Sequence, residues 1–237
     1  MAYSAMFAAF YALGRLIPFA QFVGAPGFVP FSDSFVLLYA ILLGPLAGSL
    51  SAVLGTIISY FLGKAPIFLG LDFLTPLAGV LVAGLMLKRK RLVEILVAFL
   101  VLLMAFNLSP LSLPFVSVPV LGPVPWVWLH LVALCVLTSF ILFARRPVSL
   151  EDSILKTAAK CGAAAFVGLL FEQLVGDILF EATFGLYSGE GISWWHGEWI
   201  VDFYVYPPEW IAFTVISVII ALPVYRLVAR RLRPDLA

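Results

Sequence analysis

The chain has 237 residues, 63% hydrophobic and 11% charged, with a net charge of +1. An average soluble domain is roughly 25% charged, and a mean hydropathy of +1.12 leaves too few polar groups to cover a water-facing surface. Composition therefore argues against a soluble enzyme, a nucleic-acid binder and a disordered chain, and predicts an all-α, polytopic integral membrane helical bundle.

A membrane span needs about 20 apolar residues. Apolar runs broken by charge or by Pro/Gly predict eight helices, at about 3–22, 32–45, 46–63, 69–87, 92–108, 125–143, 157–182 and 207–229. No Lys or Arg precedes the first run, so it reads as a retained span rather than a cleaved leader. Its small residues fall at helical spacing, as Ala5 with Ala9 and Ala8 with Ala12. Such stripes let helices approach closely in lipid, within the chain or against a partner. Arg15 interrupts this span and Asp33 opens the second. The two could pair with each other or meet the anionic part of a ligand.

Residues 32–63 as one helix would measure about 48 Å at 1.5 Å per residue, too long for one span. Gly44-Pro45 is the natural break. A single bent helix there would leave seven spans and move the N-terminus to the other side. Pro110, Pro114, Pro119, Pro123 and Pro125 punctuate residues 109–125. Proline removes donors and favours extended chain, so an outer surface-lying or re-entrant loop is expected there. Asn107 sits where it can cap the fifth helix. Residues 183–207 form the longest non-apolar segment and read as an aromatic outer loop.

Eight spans put both termini in the cytoplasm. Twelve of the fourteen basic residues then lie on that side, all but Arg15 and Lys64. This is the positive-inside pattern. Asp33, Asp72, Asp177, Glu181, Glu190, Glu198, Asp202 and Glu209 gather on the outer side instead. Acidic residues contribute little to topology, so a negative outward-facing site or solvated loops must account for them.

No HExxH, GxSxG, P-loop or CxxC pattern is present. No catalytic activity, cofactor or metal site is expected, and the two cysteines, Cys135 and Cys161, read as buried thiols. The seventh helix carries Glu172, Gln173, Asp177 and Glu181. Gln173, Asp177 and Glu181 are four apart and share a face. Ionisable groups inside a span face a bundle interior or a cavity, which allows either a polar solute pocket or a structural hydrogen-bond network. Trp194, Trp195, His196 and Trp199 follow beside Glu198. They could cover a planar or cationic ligand or belong to the interfacial aromatic belt, which alone could explain Tyr206 and Trp210. His130 reads as a belt or hydrogen-bonded residue.

AMFAAFYALGRLIP, SDSFVLLYAILLGPLAGSLSAVLGTIISYFLG and FLTPLAGVLVAGLMLKRKR resemble the substrate-binding S component of an energy-coupling factor (ECF) vitamin transporter. The likeness covers about residues 2–91, with YPPEWIAFTVISVIIALPVYRL as a looser match near the C-terminus. It implies a pocket near the outer face, and a small-residue stripe on the first helix (Ala5 and Ala9, or Ala8 and Ala12) docking on a transmembrane T component driven by cytoplasmic ATPases. Such components normally have six helices, so residues 92–146 read as an inserted pair in a single transmembrane domain. The expected function is binding of a small, vitamin-like solute for uptake, an acidic and aromatic site favouring a planar cationic or hydrogen-bonding one. Expected site residues are Glu172, Gln173, Asp177, Glu181, Trp194, Trp195, His196, Trp199, Arg15 and Asp33. The alternatives are a non-catalytic subunit of a larger membrane complex and, ranked last, an intramembrane enzyme.

Overall fold

The computed structural model describes residues 2–144, 146–149 and 152–232. Arg145 and Arg233, counted above among the cytoplasmic cations, lie outside the described residues. Helix α1 (Ala2–Arg15) stops well before residue 22. Pro18 cannot continue a helical ladder, and the chain turns into strand β1 (Pro18–Gln21), which pairs antiparallel with β2 (Phe28–Pro30). Gly24 and Gly27, at φ of +78° and +140°, make the turn between them.

A 3-10 turn (Phe31–Phe35) leads into α2 (Val36–Leu42), and α3 (Pro45–Phe61) follows. The break falls at the expected place. Gly44 has φ +82° and Pro45 occupies the first helical position, where its missing N–H is not needed. Residues 32–63 are therefore two helices. Helix α1 packs closely on α3 because Gly55 has no side chain. A Cβ there would lie 2.6 Å from the Ala8 carbonyl oxygen and 2.7 Å from the Tyr11 Cβ. Ala8 and Ala12 are buried in the core, whereas Ala5 and Ala9 are exposed. The two stripes thus face different ways, and Ala8 and Ala12 are withdrawn from any partner-docking surface by internal packing.

Helix α4 (Leu74–Leu87) packs on α7 (Ile154–Tyr187), again through glycine: a Cβ on Gly168 would lie 2.8 Å from the Gly79 carbonyl oxygen. Helices α5 (Leu92–Leu108) and α6 (Trp128–Phe143) flank the connection 109–127. That connection is extended, as its prolines suggest, and folds into a hairpin. Strand β3 (Phe115–Val118) pairs antiparallel with β4 (Gly122–Pro125). Prolines are tolerated because a two-stranded ribbon is all edge.

The largest correction concerns residues 183–207. Helix α7 runs on to Tyr187, and α8 (Ile192–Leu232) begins after a turn at 188–191. The aromatic segment is helix, with Pro207, Pro208 and Pro223 inside it. Its indoles are packing groups: Trp195 and Trp199 are buried, and tertiary burial outweighs a loop-like composition. Of the two thiols, Cys161 is buried and Cys135 is exposed.

The bundle has two distinct ends. At one, the Arg89 guanidinium donates to the Ile141 carbonyl at 3.2 Å and the Val148 amide donates to Leu87 O at 3.2 Å. The Gly44 turn lies there too, against the Lys88 ammonium. At the other, Lys64 reaches β2 and Trp199 reaches Leu111. Basic turns thus collect at one end, with Glu94 and Asp152 beside them, and most of the other described acidic residues lie toward the opposite end. Among the described residues, Ile154–Gly185 and Ile192–Val228 are long and apolar enough to cross a membrane, and five other apolar helices are shorter. Large apolar side chains lie bare on the outside, among them Phe61, Leu108, Phe143 and Leu46.

Candidate functional site

A pocket of about 530 Å³, mouth included, opens at the end opposite the basic turns. Several elements build it. Helix α1 ends on Arg15, the 3-10 turn contributes Asp33, and the loop before α4 contributes Ile67, Phe68 and Asp72. Helix α7 presents Glu172, Gln173, Gly176 and Asp177, while α8 presents Tyr206 and Trp210. The β1–β2 hairpin covers them with Phe22, Phe28, Val29 and Pro30.

Each wall has a local cause. Asp72 accepts the amides of Ile67 and Phe68 at 2.9 and 3.1 Å, which folds the loop back on itself. The same carboxylate faces the Arg15 guanidinium at 3.8 Å, with both side chains buried. Ser32 Oγ donates to Asp33 at 3.3 Å. Lys64 Nζ donates to Phe28 O at 3.2 Å and sits 3.6 Å from the centre of the Phe28 ring, a cation–π contact. It ties the hairpin to the end of α3. Burial, with Arg15 adding to it and Asp33 and Asp72 opposing it, lowers the Lys64 pKa to about 8. Phe22 meets Phe68 and Phe180 edge-on, at 5.7 and 5.5 Å between ring centres.

The α7 wall is unusual in its hydrogen bonding. Both Glu172 oxygens, Gln173 Oε1 and Asp177 Oδ2 are buried and have no hydrogen-bond partner among the described residues, and neither has Arg15 Nε. Buried polar groups are normally paired, and leaving one unpaired costs about 1–3 kcal/mol. A set of such groups around a cavity is an arrangement suited to receiving a polar guest.

Arg15, Asp33, Glu172, Gln173 and Asp177, all singled out from the sequence, are thus brought together. Glu181 is buried one turn further along α7 and is not part of the pocket wall. The four residues expected to cover the site do not do so. Trp195 packs on Phe180 with ring centres 5.0 Å apart, and Trp194 packs edge-on against Trp195. Trp199 contacts Phe106 and Trp126, and its indole N–H donates to Leu111 O at 3.0 Å. It reaches only a smaller neighbouring cavity, shared with Phe22, Asp177, Asp202 and Tyr206. His196 is half-buried and lies outside the pocket wall. The cover is the β1–β2 hairpin instead.

Phe22, Phe28, Phe68, Thr75, Tyr206 and Trp210 were not foreseen as pocket residues. The four-residue spacing of Tyr206 and Trp210 puts both on one helix face, a signal available in the sequence but credited to the interfacial belt. His130 is a core residue: it is buried, stacks on Trp126 at 5.9 Å and meets Phe99 edge-on. Asn107 donates to Leu103 O at 2.8 Å, bonding within its own helix. Among the described residues no group of three His, Cys, Asp or Glu is placed to hold a metal ion. The chain matches no family model, no curated protein and no solved structure.

Proposed function

We propose that the chain is a multi-pass membrane protein that binds a small solute at its outer face for uptake, in the manner of an ECF S component. Eight helical segments that alternate between a basic end and an acidic, pocketed end support an eight-span reading with both termini in the cytoplasm. The bare apolar exterior supports a lipid surround. Helices such as α2 and α4 are shorter than the roughly 30 Å hydrocarbon core, so they would sit where neighbouring helices or local thinning make up the difference.

The observation that carries the reading is the pocket itself. It joins the end of α1 to the middle of α7 and leaves Glu172, Gln173 and Asp177 unpartnered inside it. In this scheme the exposed Ala5–Ala9 stripe of α1 is the face that meets a T component, which two cytoplasmic ATPases would drive. The alternative, an accessory subunit of a larger complex, required an outward aromatic surface at residues 194–199. Trp195 and Trp199 instead point into their own core, which weighs against it.

Thermal-shift titration of the purified chain with a panel of water-soluble vitamins and related solutes tests the proposal. One class of solute should raise the melting temperature, and Asp177→Asn should reduce that rise. No response to any solute would overturn it.

A further inference from the structure

We infer that the solute is an organic cation carrying N–H donors, held by Glu172, Gln173 and Asp177 on the α7 wall. The inference rests on the solute-binding reading above and narrows it. Among the fully buried, unpartnered atoms of the wall, acceptors outnumber donors. Four acceptor oxygens on α7 await donors: both of Glu172, Oε1 of Gln173 and Oδ2 of Asp177. Gln173 matters here because its amide is neutral, so its free oxygen is not a product of acidic clustering. Among the fully buried, unpartnered atoms of the wall the one donor is Arg15 Nε, whose guanidinium already faces Asp72.

Charge points the same way. Arg15 is the one cation in the wall, against Asp33, Asp72, Glu172 and Asp177. Asp72 is matched by Arg15 and by two backbone amides. Lys64 is committed to Phe28. Arg15 is within electrostatic reach of Glu172 as well, but it is shared with Asp33 and Asp72, and nothing positive in the wall answers Asp177. A buried carboxyl without a counter-charge is costly to ionise, and a bound cation supplies that counter-charge.

An inorganic ion suits the site poorly. No three-ligand metal group exists among the described residues. Aromatic Phe68, Tyr206 and Trp210 bound the same pocket, which suits an organic body and the face of a cation. Donor N–H groups are required as well as charge. A quaternary ammonium would satisfy the rings and leave the four oxygens without hydrogens.

Four probes of similar size separate these features on the full chain in lipid nanodiscs, by equilibrium binding. Benzamidinium carries charge and N–H groups, trimethylphenylammonium charge alone, benzamide N–H groups alone, and benzoate the opposite charge. Benzamidinium should bind at least tenfold more tightly than each of the others. Asp177→Asn and, separately, Gln173→Leu should each weaken it severalfold without a matching loss for benzamide. The second variant keeps the test open should the first fail to fold. Equal or tighter binding of any other probe overturns the inference. Should an anionic or neutral member of the vitamin panel bind while cations fail, the inference falls and the solute-binding reading stands. Silence of both panels overturns both.

Discussion

Glu172 of α7 lies directly against the bare backbone of Gly79 in α4. A Cβ on Gly79 would collide with the Glu172 carboxyl and stand 3.0 Å from its Cβ. The glycine therefore does two things. It lets α4 and α7 pack closely, and it gives a polar side chain room to sit deep in the bundle beside the pocket. Gly79→Ala should force either the helices or the carboxyl to move. Overpacking of this kind costs typically 1–3 kcal/mol. The expected result is a lower melting temperature together with weaker solute binding, read by thermal shift with and without ligand.

The faces of α1 give a second prediction. Gly55→Ala drives a methyl group toward the Ala8 carbonyl, a backbone atom that cannot step aside, and should destabilise the chain by about 1–3 kcal/mol. Ala9→Leu changes an exposed position and should stay within about 0.5 kcal/mol of the parent. If the outward stripe docks a T component, Ala9→Leu should nevertheless abolish co-purification with one. Melting temperature and pull-down together separate the two faces.

Trp199 and His196 provide a third contrast. Truncating a buried tryptophan costs roughly 3–5 kcal/mol, and Trp199→Ala also frees the Leu111 carbonyl from its indole donor. His196→Ala should shift stability by no more than about 0.5 kcal/mol and leave solute affinity unchanged. A large loss of affinity in His196→Ala would restore a covering role to residues 194–199.

Lys64 sets a pH dependence. Its pKa in the folded protein is about 8, against 10.5 for the free side chain. Below pH 8 it is protonated in both folded and unfolded chain, and the penalty for burying its charge is present in full. Between pH 8 and 10.5 the unfolded chain binds more protons than the folded one, so stability rises with pH across that window. Lys64→Met should remove this rise. Melting temperatures of parent and variant from pH 7 to 10.5 measure it.

Much of the helical frame is legible in the sequence because its signals are local. Gly44-Pro45 ends one helix and starts the next through backbone geometry alone, and the spacing of charge along α7 announces a polar face before any contact is known. Residues 183–207 were less legible for a physical reason. Gly, Ser, Glu and His there suggest a loop, whereas contacts with Phe106, Phe180, Trp126 and Leu111 bury Trp195 and Trp199 on the core side of a helix. The pocket divides in the same way. Glu172, Gln173 and Asp177 stand out as polar residues in an apolar run. Phe22 and Phe28 cannot, because their place over the site depends on the β1–β2 pairing and on Lys64, 36 residues from its carbonyl partner.

The most direct test of a solute site on α7 is an equilibrium titration of the full chain in nanodiscs, parent against Asp177→Asn. A single saturable benzamidinium site per chain, weakened severalfold by the substitution, is the predicted result. Absence of saturable binding in the parent, or identical binding in the variant, would contradict it.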